Sequence, residues 1–182
     1  MRRTEIRLAG SGGQGLILGA RILFRALGLE GKRAAQSQSY EPTSRGGFCY
    51  SDLIVTDDPS DYPLVTGVDI GIMLDQVGAE RSLPMLRQNA LVITDERTVE
   101  PLPSGRFREL RLPISARAQA IGSPRVANIV SLGALVKMSG VCSLEALEKA
   151  VSLETPKKFA QLNLAAARDG YAMAEGAQAP AA

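Results

Sequence analysis

Residues 5–20 read EIRLAGSGGQGLILGA, and the order of residue types in this stretch sets the fold class. Residues 5–9 give a short apolar strand. Over 15–27, Leu16, Ala20, Leu23 and Leu27 recur at helical spacing while Arg21 and Arg25 point elsewhere. Between them, Gly10-Ser11-Gly12-Gly13-Gln14-Gly15 follows a strand and opens a helix, the context a G-x-G-x-x-G turn requires. Glycines there allow unusual backbone angles and let an anion approach the amides at the positive end of a helix. The same letters also describe a tight, closely packed strand-to-helix turn, so two readings stand: an anion or nucleotide site, and a structural turn.

Working outward, strands are expected at 33–38, 48–55, 68–74, 91–94 and 107–112, the last at an edge, with a helix over 77–87. The segment VDIGIML at 68–74 reads as a central strand buried on both faces. Residues 125–138 are apolar nearly all round, which suits a helix buried within a larger assembly. Ser143 is an expected N-cap, with Glu145 in the first turn and Lys149 four residues on. Thr155 and Pro156 are expected to cap and begin the final helix. The fold class is therefore α/β: a three-layer, Rossmann-like domain with a largely parallel or mixed sheet of about six strands and a helical C-terminal third. Residues 1–176 form one domain and the Ala/Pro-rich 177–182 a flexible tail.

The absences narrow the chemistry. The 182 residues include no His, which removes the commonest general acid/base and metal ligand, and with it any Ser-His-Asp or Cys-His device within this chain. Cys49 and Cys142 are far apart in sequence, too few and too distant for a zinc site or an iron–sulfur cluster. With 21 basic and 19 acidic residues, few aromatics and no Trp, the chain lacks a nucleic-acid footprint. No apolar run reaches bilayer length and no secretory pattern opens the sequence, so free cysteines point to the cytoplasm. A Walker A loop would need Lys and Ser/Thr where Leu16 and Ile17 stand. An NAD site would need an acid where the second strand offers Gln36, Ser37, Gln38 and Ser39, which weakens independent nicotinamide binding.

A second constellation, Ser39-Tyr40-Glu41-Pro42-Thr43-Ser44-Arg45-Gly46-Gly47, joins two strands at the end of the sheet where doubly wound folds place ligands. Arg45 offers a fork of donors for carboxylate or phosphate, and Gly46-Gly47 allow close approach. Together with the glycine loop it forms a candidate shared site or subunit contact. Lys157 and Lys158, expected in the first turn of the last helix, read as an anion corner or as solvated lysines. Asp57, Asp58 and Asp61 read as a turn rather than a metal cluster, and the two cysteines as packed small hydrophobes. Tyr40 and Asn128 are candidate polar contacts of the site, or buried groups that satisfy backbone.

The ordered set GSGGQG, QSQSYEPTSRGG, VDIGIML, ANIVSLGALVKMSG and the late Asn163-x-x-Ala166 pattern resembles the gamma subunit of 2-oxoacid:ferredoxin (acceptor) oxidoreductases, over residues 3–176. The beginning, RLAGSGGQGLIL, looks closest to the 2-oxoglutarate branch; related enzymes act on pyruvate, branched-chain, indolepyruvate or aryl glyoxylate substrates. The resemblance implies a cytoplasmic hetero-oligomer that oxidatively decarboxylates a 2-oxoacid to its acyl-CoA. Thiamine diphosphate and magnesium would sit in alpha and beta subunits and iron–sulfur clusters in a ferredoxin-like subunit, with coenzyme A as co-substrate. This chain would be inactive alone. Carried over by position, the implied cofactor-binding residues are Gly10, Gly12, Gly13, Gln14 and Gly15 in the first loop, Ser39, Tyr40, Arg45, Gly46 and Gly47 in the second, and Asn128; Pro42 also matches. Many members read Ser-Tyr-Gly-Pro-Glu before Arg-Gly-Gly, whereas this chain has Glu41 before Pro42 and Thr43 after it. A stand-alone nicotinamide-dependent dehydrogenase and a non-enzymatic nucleotide- or anion-binding module are the alternatives.

Overall fold

The computed structural model describes residues 3–40, 46–57 and 64–177. The expectations for Glu41, Pro42, Thr43, Arg45, Asp58, Asp61 and 178–182 lie outside the described residues, as does the side chain of Tyr40.

Six strands form one mixed sheet: β1 (Arg3–Ser11), β2 (Arg33–Tyr40), β3 (Phe48–Thr56), β4 (Val68–Met73), β5 (Leu86–Asp95) and β6 (Arg108–Leu112), in the spatial order β2-β3-β1-β4-β5-β6. Strands β4, β5 and β6 continue parallel from β1, while β3 is antiparallel to both of its neighbours. The β2-to-β3 connection, residues 41–47, is too short for the crossover that a parallel neighbour needs, so β3 returns along the strand it has just left. Strand β4 is central, as its apolar letters require, and β6 is an edge.

Helices α1 (Leu16–Leu29), α3 (Ile114–Ile121) and α4 (Ala127–Ser139) share the main core with Ile6, Leu8, Ile72, Ile93 and Leu112. Helices α5 (Leu144–Glu154) and α6 (Ala160–Glu175) join that core on the same side. On the opposite face the short α2 (Gln76–Ser82) packs Ala79 against Ala9, Met73 and Val92. The three layers are therefore unequal.

Four details differ from the sequence reading. Helix α2 stops at Ser82 because Pro84 lacks an amide hydrogen; a 3-10 turn over Leu83–Met85 follows, and β5 begins at Leu86. The sequence reading gives no helix at α3, which is short and buries only Ile114 and Ala118. Thr155 does not cap the last helix: its hydroxyl donates to the Val151 carbonyl (2.7 Å) and closes α5. Lys157 and Lys158 thus lie in a 3-10 turn ahead of α6, not within its first turn. Ser143 caps α5 as expected, accepting from the Ala146 amide at 3.1 Å.

The apolar helix α4 is buried from Asn128 to Val136 by this chain itself, so its composition requires no partner subunit. It crosses α6 at backbone distance. A Cβ on Gly133 would stand 2.8 Å from the Tyr171 amide nitrogen, and one on Gly170 would stand 2.7 Å from the Val130 carbonyl carbon. Replacing Gly133 by Val should therefore destabilise the fold by about 3 kcal/mol, the upper end for overpacking, because rigid backbone is what the new methyls meet. Denaturant unfolding measures the loss, and a change below ~1 kcal/mol would contradict the crossing geometry.

Two carboxylates clamp the core near the amino-terminal ends of β1 and β2. Burial would raise the pKa of Glu5, but the Gly67 and Thr66 amides and the guanidiniums of Arg87 and Arg3 override it and hold the carboxyl down to about 2. Glu30 is likewise held at about 2, by its bonds to Ser143 and Lys32, joining the end of α1 to the start of α5. Both pKa values lie below the ordinary 4.5, so this stability is fully present above pH 4.5 and is lost as pH falls toward 2. Thermal unfolding across that window should show a falling Tm, with a shallower fall in Glu30→Gln.

Candidate functional site

Chain connections leave β1 toward β2 on one side and β4 toward β5 on the other. The crevice at the carboxyl ends of β1 and β4 is thus the topological switch point, where open α/β sheets bind ligands. The glycine loop occupies one lip of this crevice and Leu74-Asp75 the other. Gly13 (φ 102°) and Gly15 (φ 72°) take left-handed backbone angles that turn the chain from β1 into α1. Gly15 also needs clearance: a Cβ there would stand 2.6 Å from Asn128 Nδ2.

The two loops singled out in the sequence meet. Strand pairing aligns Gly10 with Cys49 and Ser11 with Phe48, and Tyr40 with Cys49 on the other side of β3. The Gly12 amide then donates to the Gly47 carbonyl at 2.9 Å. Ser39 is half-buried near the end of β2, while Gly13 and Gly46 are exposed, and Gly46 adopts φ 82°. Gly12, Gly13, Gly46 and Gly47 therefore form a continuous backbone rim.

Gln14 and Asn128 hold this rim from within. The Gln14 carboxamide accepts from the Ser11 amide (2.8 Å) and donates to the Leu74 carbonyl (2.7 Å), bridging the switch point. A Cβ on Gly10 would displace that carboxamide from its bridging position. Asn128, buried at the start of α4, donates to the Gly15 carbonyl (2.9 Å) and accepts from the Ile129 amide (2.9 Å). Both side chains thus act on the loop backbone.

Sequence reasoning missed the opposite lip. Asp75 caps α2 by accepting from Val77 (3.1 Å) and also accepts from the Ser11 hydroxyl (3.3 Å). A Cβ on Gly78 would stand 2.6 Å from Gly10 Cα, so α2 rests directly on the end of β1. The acid at the end of an apolar strand was the available signal, at Asp75, which also precedes a helix, and at Asp95. Asp95 accepts from the Ser115 amide (3.2 Å) and hydroxyl and from the Thr98 hydroxyl (3.2 Å). Beside it a cavity of about 200 Å³ opens between Gly13, Gln14, Leu74, Asp95, Ser115 and Arg125.

Other candidates fall away from this crevice. Burial pushes the Cys142 thiol up to about 12 and raises that of Cys49, so neither is poised as a thiolate. Among the described residues no group of three or more His, Cys, Asp or Glu is placed to hold a metal ion, and no helix is long and apolar enough to cross a membrane. Lys158 lies over the Phe159 ring at 4.9 Å. A larger cavity of about 560 Å³ opens near Lys32, Arg33, Asp57 and Asp69, at the amino-terminal end of β1 and away from the switch point. There Lys32 is paired with Glu30 and Asp69 with Arg87.

Residues 5–173 match the family model of pyruvate ferredoxin/flavodoxin oxidoreductase. The chain belongs to this family. Within it, the chain is 38% identical to the 2-oxoglutarate synthase subunit KorC of Methanocaldococcus jannaschii, over 95% of each chain. A solved relative is the gamma subunit of a keto/oxoacid ferredoxin oxidoreductase from Geobacter sulfurreducens, with 39% identity, a TM-score of 0.89, and coverage of 97% of this chain and 99% of that one. The 2-oxoglutarate:ferredoxin oxidoreductase of Magnetococcus marinus shares the fold at TM-score 0.86 and 20% identity; it covers 98% of this chain, which spans 32% of that longer one. The oxidoreductase-family fold thus occurs both as a separate chain and within a longer one.

Gln14→Ala would leave the Ser11 amide and the Leu74 carbonyl without their partner. The expected cost is about 1–3 kcal/mol in denaturant unfolding, with faster hydrogen exchange at Ser11. Unchanged stability and exchange would show that the bridge does not hold the loop.

Proposed function

We propose that this chain is the gamma subunit of a multisubunit 2-oxoacid:acceptor oxidoreductase of the 2-oxoglutarate branch, and that its joined glycine loops border the coenzyme A site. The reaction converts a 2-oxoacid and coenzyme A to the acyl-CoA, carbon dioxide and a proton, and passes the released electron pair to ferredoxin or a similar acceptor. The carrying observation is the rim of Gly12, Gly13, Gly46 and Gly47 at the switch point, in a chain without histidine. Such a rim can present amides to an anionic co-substrate but supplies no general base or nucleophile. The KorC relative, named a subunit of 2-oxoglutarate synthase, supports the branch, and the Magnetococcus enzyme was solved with 2-oxoglutarate, coenzyme A and succinyl-CoA bound.

Thiamine diphosphate with its magnesium and the iron–sulfur clusters belong, in this reading, to alpha, beta and ferredoxin-like subunits. The donor set here agrees: the free thiols Cys49 and Cys142 are both shifted toward the neutral form and far apart in the sequence. This chain's own part is to position. Gln14 and Asn128 fix the loop before any ligand arrives, so the rim need not pay ordering entropy on binding.

Affinity purification of the native assembly tests the reading. Thiamine-binding and cluster-bearing chains should co-purify, the assembly should reduce an acceptor with a 2-oxoacid and coenzyme A, and the isolated chain should not. Gly12→Val should lower the assembly's kcat/KM for coenzyme A by about ten-fold, the scale of 1.4 kcal/mol, with subunit composition unchanged. A solitary, colourless protein, or turnover by the isolated chain, would overturn it.

A further inference from the structure

We infer that the cavity of about 200 Å³ between Gly13, Asp95, Ser115 and Arg125 is a phosphate subsite, with Arg125 as its specificity-determining residue. The inference deepens the coenzyme A reading and rests on it. Arg125 sits in the 3-10 turn Pro124–Val126 that leads into α4, where the helix dipole disfavours a cation. It is exposed, and among the described residues its guanidinium has no hydrogen-bond or ion-pair partner.

The one other charged residue lining the cavity, Asp95, makes no ion pair with it among the described residues. Asp95 is 1% exposed and spends one carboxylate oxygen on the Ser115 amide and the other on the hydroxyls of Ser115 and Thr98. It serves as the anchor at the start of α3. Across the cavity stands the exposed, left-handed Gly13, two residues before the left-handed cap of α1. A free planar fork of donors, a glycine turn without a side chain and the first residue of α4, Ala127, therefore line one opening. No Cβ is missed at Gly13: the space around that position is clear to 4 Å. A compact oxyanion fits this set of donors, and a guanidinium is well matched to phosphate.

Two anions in the proposed reaction could supply the oxyanion: a phosphate of coenzyme A or the carboxylate of the 2-oxoacid. The phosphate is favoured because the cavity opens beside the same glycine rim that would meet the co-substrate. The test uses the intact assembly, with wild type, Arg125→Ala, Arg125→Lys and Gly12→Val. Calorimetric titration reads the Kd of adenosine 3′,5′-bisphosphate, which carries phosphates and no thiol. Kinetics read KM for coenzyme A and for the 2-oxoacid.

Arg125→Ala should weaken adenosine bisphosphate about ten-fold and raise KM for coenzyme A by a similar factor. KM for the 2-oxoacid and kcat should stay near wild type, and Arg125→Lys should recover part of the loss. If Gly12→Val raises KM for coenzyme A while Arg125→Ala changes neither constant, the subsite is wrong and the coenzyme A reading stands. A selective rise in KM for the 2-oxoacid would overturn the phosphate assignment. If neither variant affects coenzyme A, the broader reading fails and the subsite with it.

Discussion

The crossing of α4 and α6 sets what the rest of the molecule can do. Gly133 and Gly170 let two backbones approach within contact distance, and this brings α4 fully inside the domain. Once buried there, α4 presents Asn128 to the Gly15 carbonyl and places Arg125 at the cavity mouth. Core packing and site geometry are thereby coupled through one helix. A side chain at the crossing would displace α4 and, with it, the support beneath the glycine loop.

The thin face of the sheet is organised by charge. Arg7 and Asp52, directly opposite on β1 and β3, make a paired contact at 2.8 and 2.8 Å with both side chains 5% exposed. The Arg7 guanidinium also lies 4.3 Å from the Tyr50 ring centre and donates toward Met85 Sδ. Desolvating such a pair offsets much of its attraction, so its value lies less in net stability than in fixing the neighbours: losing one partner costs about 3–5 kcal/mol. Near the other end of β1, Glu5 gathers Thr66, Gly67, Arg87 and Arg3 around one carboxylate and ties the approach to β4 beneath β1. These polar clamps do the work that a second helical layer would do by burial.

The glycine loop is a ready scaffold rather than an empty cradle. Its amide at Ser11 and the facing carbonyl at Leu74 are satisfied by Gln14, and the amide at Gly12 by Gly47. Buried polar groups of this kind must find partners in the ligand-free state. The surface that remains for a ligand is the outer rim and the cavity beside it. In the proposed reading, this is how a chain with a nucleotide-like turn acts as a positioning subunit.

Much was legible in the letters. The alternation of apolar strands with helical spacing gave the α/β class, the six strands and the central place of 68–74, because burial periodicity is written locally. The glycine run identified its own turn, since left-handed angles at Gly13 and Gly15 are a property of residue type. The missing histidine bounded the chemistry before any fold was known. Tertiary structure alone decided the rest. That β3 runs against its neighbours, that Gly12 meets Gly47, and that α4 is covered by α6 depend on contacts between residues far apart in sequence. The roles of Gln14 and Asn128 follow the same rule: a carboxamide can face a ligand or a backbone carbonyl with equal chemistry, and which it does is set by what the fold places opposite it.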